Sequence, residues 1–237
     1  MSESRESSAS VAPAYPGLGE RLELVKSGVA DACRDAGRSS TDVTLIVVTK
    51  FHPASLVAAL AELGVRDVGE NRHQEAQHKA EELAALELRW HFIGQLQTKK
   101  ARQAARYSHA IHSIDRERLV DAIADVDRPV DVFLQVNMTD DPARGGVAPA
   151  ELERLAEHAL AAPSLRLRGV MAVAPLEEPP AAAFARLATY SDRVRAIAPD
   201  AVAISAGMTH DYREAIAAGA THLRIGSAIT GKRPEPR

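Results

Sequence analysis

The chain is predicted to fold as an α/β protein, a single (β/α)8 TIM barrel, and three observations carry that reading. Eight short runs rich in strand formers recur along the sequence, and helical stretches separate them at roughly 20 to 35 residues per unit. Several runs are almost continuously apolar, as parallel strands are when both faces are covered. Eight such units in 237 residues suit a closed barrel, which typically takes about 250. A doubly wound open sheet is the competing arrangement. It usually carries a Gly-rich phosphate turn after its first strand, and here that position reads "TKFHP".

The elements follow in order. The opening "MSESRESSASVAPA" is Ser/Ala-rich, mixes acid with base and has no apolar core. Residues 1–16 are therefore expected to be a disordered lead and not a signal peptide. From Gly17 to about Gly37 a helix is predicted, with Leu18, Leu22, Val25 and Val29 on one stripe and glycine as the stop. The predicted strands are "VTLIVVT" (43–49), "VRDVGE" (65–70), "RWHFIG" (89–94), "HAIHSI" (109–114), "VDVFLQV" (130–136), "RLRGVMAV" (166–173), "AVAISAG" (201–207) and "HLRIGSA" (222–228). Between them, "PASLVAALAELG" opens with Pro at a tolerated first-turn position and closes with Gly. "AAAFARLATYSDRVRAIA" sets Phe184, Leu187, Val194 and Ile197 on one face. Little chain follows the last strand, so the N-terminal helix is expected to stand in for the missing eighth. The barrel domain is placed at 17–233, with 234–237 as a C-terminal tail and no second domain. The longest irregular stretch, "NMTDDPARGGVAP" (137–149), follows the fifth strand. It lies on the face where barrel lids form, and its Gly and Pro suit a passive surface loop equally.

Composition narrows the function classes. With 46% hydrophobic and 26% charged residues the chain can bury one substantial core. A formal charge of −3 and a pI near 6.3 offer no electrostatic reason to expect nucleic acid or an anionic membrane as partner. The lone Cys33 cannot form an internal disulfide and reads as a small buried residue rather than a catalytic thiol. No run is long and apolar enough to span a bilayer, and a cytoplasmic location is expected.

Barrel sites gather at the C-terminal ends of the strands. Those ends supply Lys50, Glu70 and Asn71, His91 to Gln95, Ser113 and Asp115, Asn137, Met171, Ser205 to Thr209, and Arg224 to Ser227. Lys50 breaks the pattern, a cation at the tip of the most hydrophobic strand beside Val47, Val48 and Phe51. A solvated strand-end lysine is one account. The other is desolvation, which disfavours the ammonium form and makes a nucleophile for aldehydes. "SAGMTHD" (205–211) and "RIGSA" (224–228) end the seventh and eighth strands in turns carrying Gly and hydroxyls, a pattern that suits a phosphate. Tight turns that need glycine for backbone reasons fit the same letters. Arg224 offers a fixed cation if it points into the mouth, or a strand-end ion pair if it does not. His91, His109 and His112 lack zinc spacing and read as satisfied structural histidines. Asp211 reads as a helix cap.

Together these segments resemble a known family. "VTK" with Lys50, "GENRHQE" (69–75), "WHFIGQLQTKK" (90–100), "HSID" (112–115), "LRGVMAVAP" (167–175), "SAGMTHD" and "RIGSAITGKR" (224–233) fall in the order seen in the YggS/PROSC family of pyridoxal phosphate homeostasis proteins, over roughly residues 17 to 233. That family resembles the barrel domain of alanine racemase. The resemblance implies a fold type III barrel binding pyridoxal 5′-phosphate, with Lys50 as the Schiff-base (aldimine) lysine and Asn71 close to it. It implies phosphate contacts from Ser205, Gly207, Met208 and Thr209 and from Gly226 and Ser227, with Arg224 facing the pyridine nitrogen. The departures are "SAGMT" for "SMGMS", "LQTKK" for "LQxNK" and "GSAITG" for "GTAIFG". The hydroxyls at 209 and 227 are kept, whereas the roles of Thr98 and Thr230 stay open.

An arginine at the ring nitrogen cannot accept a proton, so the ring is expected to be a weak electron sink. A mouth open to water would also quench reactive intermediates. The expected function is thus a binder without strong catalytic activity, holding pyridoxal phosphate and buffering the cofactor and amino-acid pools. Apo-enzymes that use the cofactor are the expected acceptors, and a monomer is expected. An enzyme is the alternative, either a slow amino acid racemase or a cofactor-free lysine aldolase.

Overall fold

The computed structural model describes residues 14–232; residues 1–13 of the expected 1–16 lead, and residues 233–237 with the expected tail, lie outside them. Eight parallel strands close into a barrel in sequence order: β1 (Thr44–Val48), β2 (Asp67–Glu70), β3 (Arg89–Phe92), β4 (Ser108–Ile114), β5 (Val130–Gln135), β6 (Leu165–Met171), β7 (Ala203–Ser205) and β8 (His222–Ile225). Closure is direct, since β8 pairs with β1 from Thr44↔His222 to Val47↔Ile225. Each of the eight predicted runs overlaps one of these strands, with β4 and β6 starting one residue earlier than predicted. β7 is the shortest because Gly207 takes a positive φ of 92° and turns the chain out of the sheet.

The helices form the outer ring: α2 (Ala54–Glu62), α3 (His73–Glu82), α4 (Thr98–Tyr107), α5 (Glu117–Ile123), α6 (Leu152–Leu160), α7 (Pro180–Ile197) and α8 (Tyr212–Ala217) follow β1 to β7. A four-residue turn of helix, α9 (Ser227–Thr230), follows β8. That is too short to cover the sheet, and α1 (Leu18–Asp35) takes its place. Its predicted stripe is buried throughout, and Arg21 and Arg38 donate to Ile229 O and to Ile216 O and Ala220 O at 2.8 Å, fastening it between α8 and α9. In α7, Phe184, Leu187 and Val194 are buried as expected, with Ile197 half-buried. None of the helices among the described residues is long and apolar enough to cross a membrane.

Strand periodicity sorts the core into two compartments. Side chains such as Val47, Val68, Trp90, Ile111, Val132 and Leu223 point outward and build the large apolar layer under the helices. Inside the barrel the apolar contribution is smaller, a separate cluster of Ala110, Phe133, Met171 and Ala203, with fully buried Ile46 facing inward on β1. The rest of the lumen is polar, holding Asp67, His91, His112, Ser205 and Arg224, each no more than 9% exposed, with half-buried His222 beside them. Barrels of this class usually fill that space with branched aliphatic residues. Here buried polar groups must satisfy one another.

The histidines make the lumen acid-sensitive. Burial and the nearby His91 push His222 down from 6.5 to about 4, and burial, with the neighbouring histidines and Arg224, holds His112 well below its ordinary value. Between pH 6.5 and 4 the unfolded chain binds protons at these rings that the folded barrel refuses, so stability falls as pH falls. His222 alone should cost on the order of 2 kcal/mol between pH 6.5 and 5. Thermal unfolding followed by circular dichroism should show Tm already dropping above the carboxylate range, and a flat Tm from pH 7 to 5 would refute this.

Candidate functional site

β1 stops at Val48, and the following turn is tied down on both sides of Lys50. Lys79, 5% exposed on α3, donates from Nζ to Thr49 O (3.0 Å), Glu70 Oε1 (2.6 Å) and Glu75 Oε1 (2.9 Å). Thr49 Oγ1 donates to the same Glu70 oxygen at 2.7 Å. Glu75 Oε1 in turn accepts the Phe51 amide at 2.6 Å. Phe51 sits at φ +70°, a conformation that costs a bulky residue on the order of 1–2 kcal/mol. The buried ammonium and its two carboxylates hold the backbone there. Burial pushes the Glu70 carboxyl above its ordinary range, with Lys79 and Thr49 pulling the other way.

Lys50 projects from this clamp. Its Nζ lies 5.9 Å from the Phe51 ring, and it makes no hydrogen bond or ion pair among the described residues. The Arg72 guanidinium covers the same ring at 4.8 Å. Asn71 follows β2, its Oδ1 buried and without a hydrogen-bond partner. Gly94 backs this segment so closely that a Cβ there would sit 2.2 Å from Asn71 O. Next door, Arg72, Gln95, Gln97, Lys99 and Lys100 help line an open cavity of about 550 Å³.

On the other side of Lys50 lie the ends of β7 and β8. Arg224 points into the lumen, donating to Ser205 Oγ (2.6 Å) and Ala172 O (2.8 Å), and burial lowers its guanidinium to about 10. It forms no strand-end ion pair among the described residues. Ser205 is fully buried, with its hydroxyl held between Arg224 and His112 Nδ1 (2.8 Å), so it faces the lumen rather than the rim. At the rim, the amides of Thr209 and Ser227 donate to nothing among the described residues. Gly226 lies against β1, where a Cβ would meet Val48 at 3.3 Å, and Gly207 has no room for one between Ala215 and Leu223. The Met208 amide is occupied, donating to Asp211 Oδ1 at 2.6 Å. Asp211 is therefore not the helix cap that its position suggested; α8 starts at Tyr212 without a side-chain cap. Thr230 does have a partner, since its hydroxyl donates to Gly226 O at 3.2 Å and braces the turn.

The structure thus gathers Lys50, Asn71, Gly207, Met208, Thr209, Arg224, Gly226 and Ser227 along one arc of the mouth formed by β7, β8, β1 and β2, with Ser205 beneath. These residues suit a cofactor with an aldehyde and an anionic tail, offering a primary amine, a buried cation and a rim of glycines, hydroxyls and open amides. The loop 137–149 is pinned by its own bonds, Val147 bridging to Val136 and Asn137 joining Thr139 and Asp141. Sequence reasoning passed over Thr49, Glu75 and Lys79 entirely. Thr98 opens α4, and its hydroxyl accepts from Arg116 Nη2 at 3.3 Å.

A (β/α)8 barrel with one free lysine at the tip of β1 and an anion-suited rim at β7 and β8 defines a class, the lysine barrels related to alanine racemase. The sequence matches the family model of the alanine racemase N-terminal domain over residues 31–234. Pyridoxal phosphate homeostasis proteins are 38% identical in Mycobacterium bovis, covering 93% of this chain and 96% of that one, and 37% identical in Escherichia coli, covering 91% and 97%. The structure of PipY from Synechococcus elongatus with pyridoxal phosphate bound superposes with a TM-score of 0.80 at 32% identity, over 90% of this chain and all of that one. The chain belongs to the alanine racemase N-terminal domain family and, within it, to the pyridoxal phosphate homeostasis proteins.

The clamp is testable by itself. Lys79→Met strands two carboxylates, one of them deeply buried, and should cost about 3 kcal/mol in urea unfolding. Adding Glu70→Gln should recover part of that loss. Two additive losses would show that the pair is not coupled.

Proposed function

We propose that this protein holds pyridoxal 5′-phosphate at the mouth of its barrel and serves the homeostasis of that cofactor and of amino acids, without strong catalytic activity of its own. The observation that carries this reading is the clamped, otherwise unbonded Lys50 amine beside the glycine and hydroxyl rim of β7 and β8. The names of the relatives and the cofactor in PipY support it.

The cofactor supplies an aldehyde that a primary amine captures reversibly. Lys50 is the amine in this reading, and Asn71 lies in the segment beside it. The open amides of Thr209 and Ser227, their hydroxyls, and the close backbone approach at Gly207 and Gly226 take the phosphate. Met208 joins them only when Asp211 releases its amide. Ser205 works from below by orienting Arg224. Arg224 faces the ring nitrogen and can only donate to it, keeping its own proton and offering no acceptor to a protonated ring nitrogen, so the pyridine ring stays a weak electron sink. This argues for storage and delivery over racemisation. Delivery to apo-enzymes, a monomeric state and a cytoplasmic location belong to the same proposal.

Borohydride reduction of protein incubated with pyridoxal phosphate, followed by peptide mapping, should place the label on Lys50. Lys50→Ala should lose that label and its absorbance while keeping phosphate-dependent binding; a label elsewhere, or none, would overturn the reading. Asp211→Asn removes a carboxylate that competes with the phosphate for the Met208 amide. It should tighten binding of the cofactor to Lys50→Ala protein severalfold, since like charges at such range repel by about 1 kcal/mol or more. Weaker binding would move the phosphate off that turn.

A further inference from the structure

The lumen contains a polar chain that the reading above does not use. Arg89, half exposed at the start of β3, binds Asp67 through Nε and Nη2 at 2.8 and 2.5 Å. Asp67 Oδ1 meets His91 Nε2 at 2.9 Å, His91 Nδ1 meets His112 Nε2 at 2.9 Å, and His112 Nδ1 meets Ser205 Oγ at 2.8 Å. Ser205 Oγ receives Arg224 at 2.6 Å. Strand position shows the direction of travel: Asp67 and Arg89 begin β2 and β3, whereas Ser205 ends β7 and Arg224 lies near the end of β8. The chain therefore climbs from the floor of the barrel to its mouth.

The ends determine the protons in between. Arginine can only donate and an ionised carboxylate can only accept. Burial would raise the Asp67 carboxyl, but hydrogen bonds from His91 and Arg89 and the charge of Arg89 hold it well below the usual range, so it is ionised. One arrangement then uses every hydrogen once: Arg224 to Ser205, Ser205 O–H to His112 Nδ1, His112 Nε2–H to His91 Nδ1, and His91 Nε2–H to Asp67. Reversing the middle links requires a doubly protonated His91 and leaves the Ser205 proton without an acceptor in a fully buried site, which costs more.

We propose that Asp67, His91, His112 and Ser205 form a one-way hydrogen-bond relay, with both imidazoles neutral and protonated at Nε2, that positions Arg224 at the mouth from an anion at the barrel floor. These four are positioning residues acting through Arg224. Phe133 stacks on His112 with ring centroids 4.3 Å apart, and His222 is 6.1 Å away, so the His112 ring is held in the plane the relay needs. The groups facing His112 are His91 from β3, His109 from its own strand, and His222 and Arg224 from β8, all of which oppose its protonation. What the relay is for rests on the cofactor reading; whether it exists does not.

The test uses the full chain without cofactor, so its failure is distinct from failure to bind pyridoxal phosphate. Nitrogen-15 spectra of the imidazoles at pH 7 should show His91 and His112 both carrying their proton on Nε2, with Nδ1 as acceptor. A Nδ1–H tautomer or a cation at either ring would overturn the relay. Asp67→Asn, which keeps the shape and removes the charge, should shift the His112 nitrogens two links away; unchanged His112 signals would also overturn it. Ser205→Ala should speed solvent exchange of the Arg224 guanidinium protons by about tenfold, the loss of one charged hydrogen bond, and Ser205→Thr should keep it slow. If Ser205→Ala does not fold, the tautomers and Asp67→Asn decide the matter.

Discussion

The site depends on one buried ammonium group. Lys79 joins the end of β1 to the end of β2 and the first turns of α3, and through Glu75 it holds Phe51 in a backbone conformation a phenylalanine does not choose. A buried ion pair of this kind contributes little net stability, because desolvation offsets most of the attraction. Its value lies in geometry. With the carbonyl of Thr49 and the amide of Phe51 both anchored, the residue between them has one direction left, and that residue is Lys50.

The same division appears across the barrel. Stability comes from the apolar layer between strands and helices, where whole leucines and isoleucines leave water at roughly 2 kcal/mol each. The lumen supplies direction instead. A lumen packed with valine and leucine would be more tolerant of rearrangement, whereas donors and acceptors matched along a chain admit very few arrangements. The acid sensitivity of His112 and His222 is the physical cost of that choice, since both rings are kept neutral by the same burial that orders them.

Much of this was legible in the sequence, and the boundary is physical. Several strands read as apolar runs because both faces are covered, the strand–helix alternation made the rest visible, and Lys50 stood out because it ends one of the most apolar runs. The arc of Gly207, Thr209, Gly226 and Ser227 was readable because turn residues cluster where a strand ends. Lys79 was not readable: "HQEAQHKAEE" looks like a solvated helix face, and only closure of β1 on β2 buries one of its cations. His91 and His112 were correctly judged to be satisfied, but their partners are each other, Asp67 and Ser205, up to 93 residues apart. Asp211 was misread as a cap because adjacency to a helix start is a local signal, while its acceptor role toward Met208 depends on how the turn at Gly207 folds back.

The three parts of the mouth are held by separate sets of residues. The lysine is fixed by Thr49, Glu70, Glu75 and Lys79 on β1, β2 and α3; the arginine by the relay from β2, β3, β4 and β7; the anion rim by the turns after β7 and β8. The sets meet where β2 carries both Glu70 and Asp67, where Gly226 touches Val48 and where the Arg224 amide donates to Gly207 O, and their hydrogen-bonded side chains are otherwise distinct. Perturbations in different sets should therefore combine almost additively, while perturbations within one set should not. On the proposed reading, in which the protein takes up a reactive aldehyde and gives it back, this independence has a use. The amine, the arginine and the rim could then each hold weakly and be adjusted alone, so release would need no concerted change in the barrel.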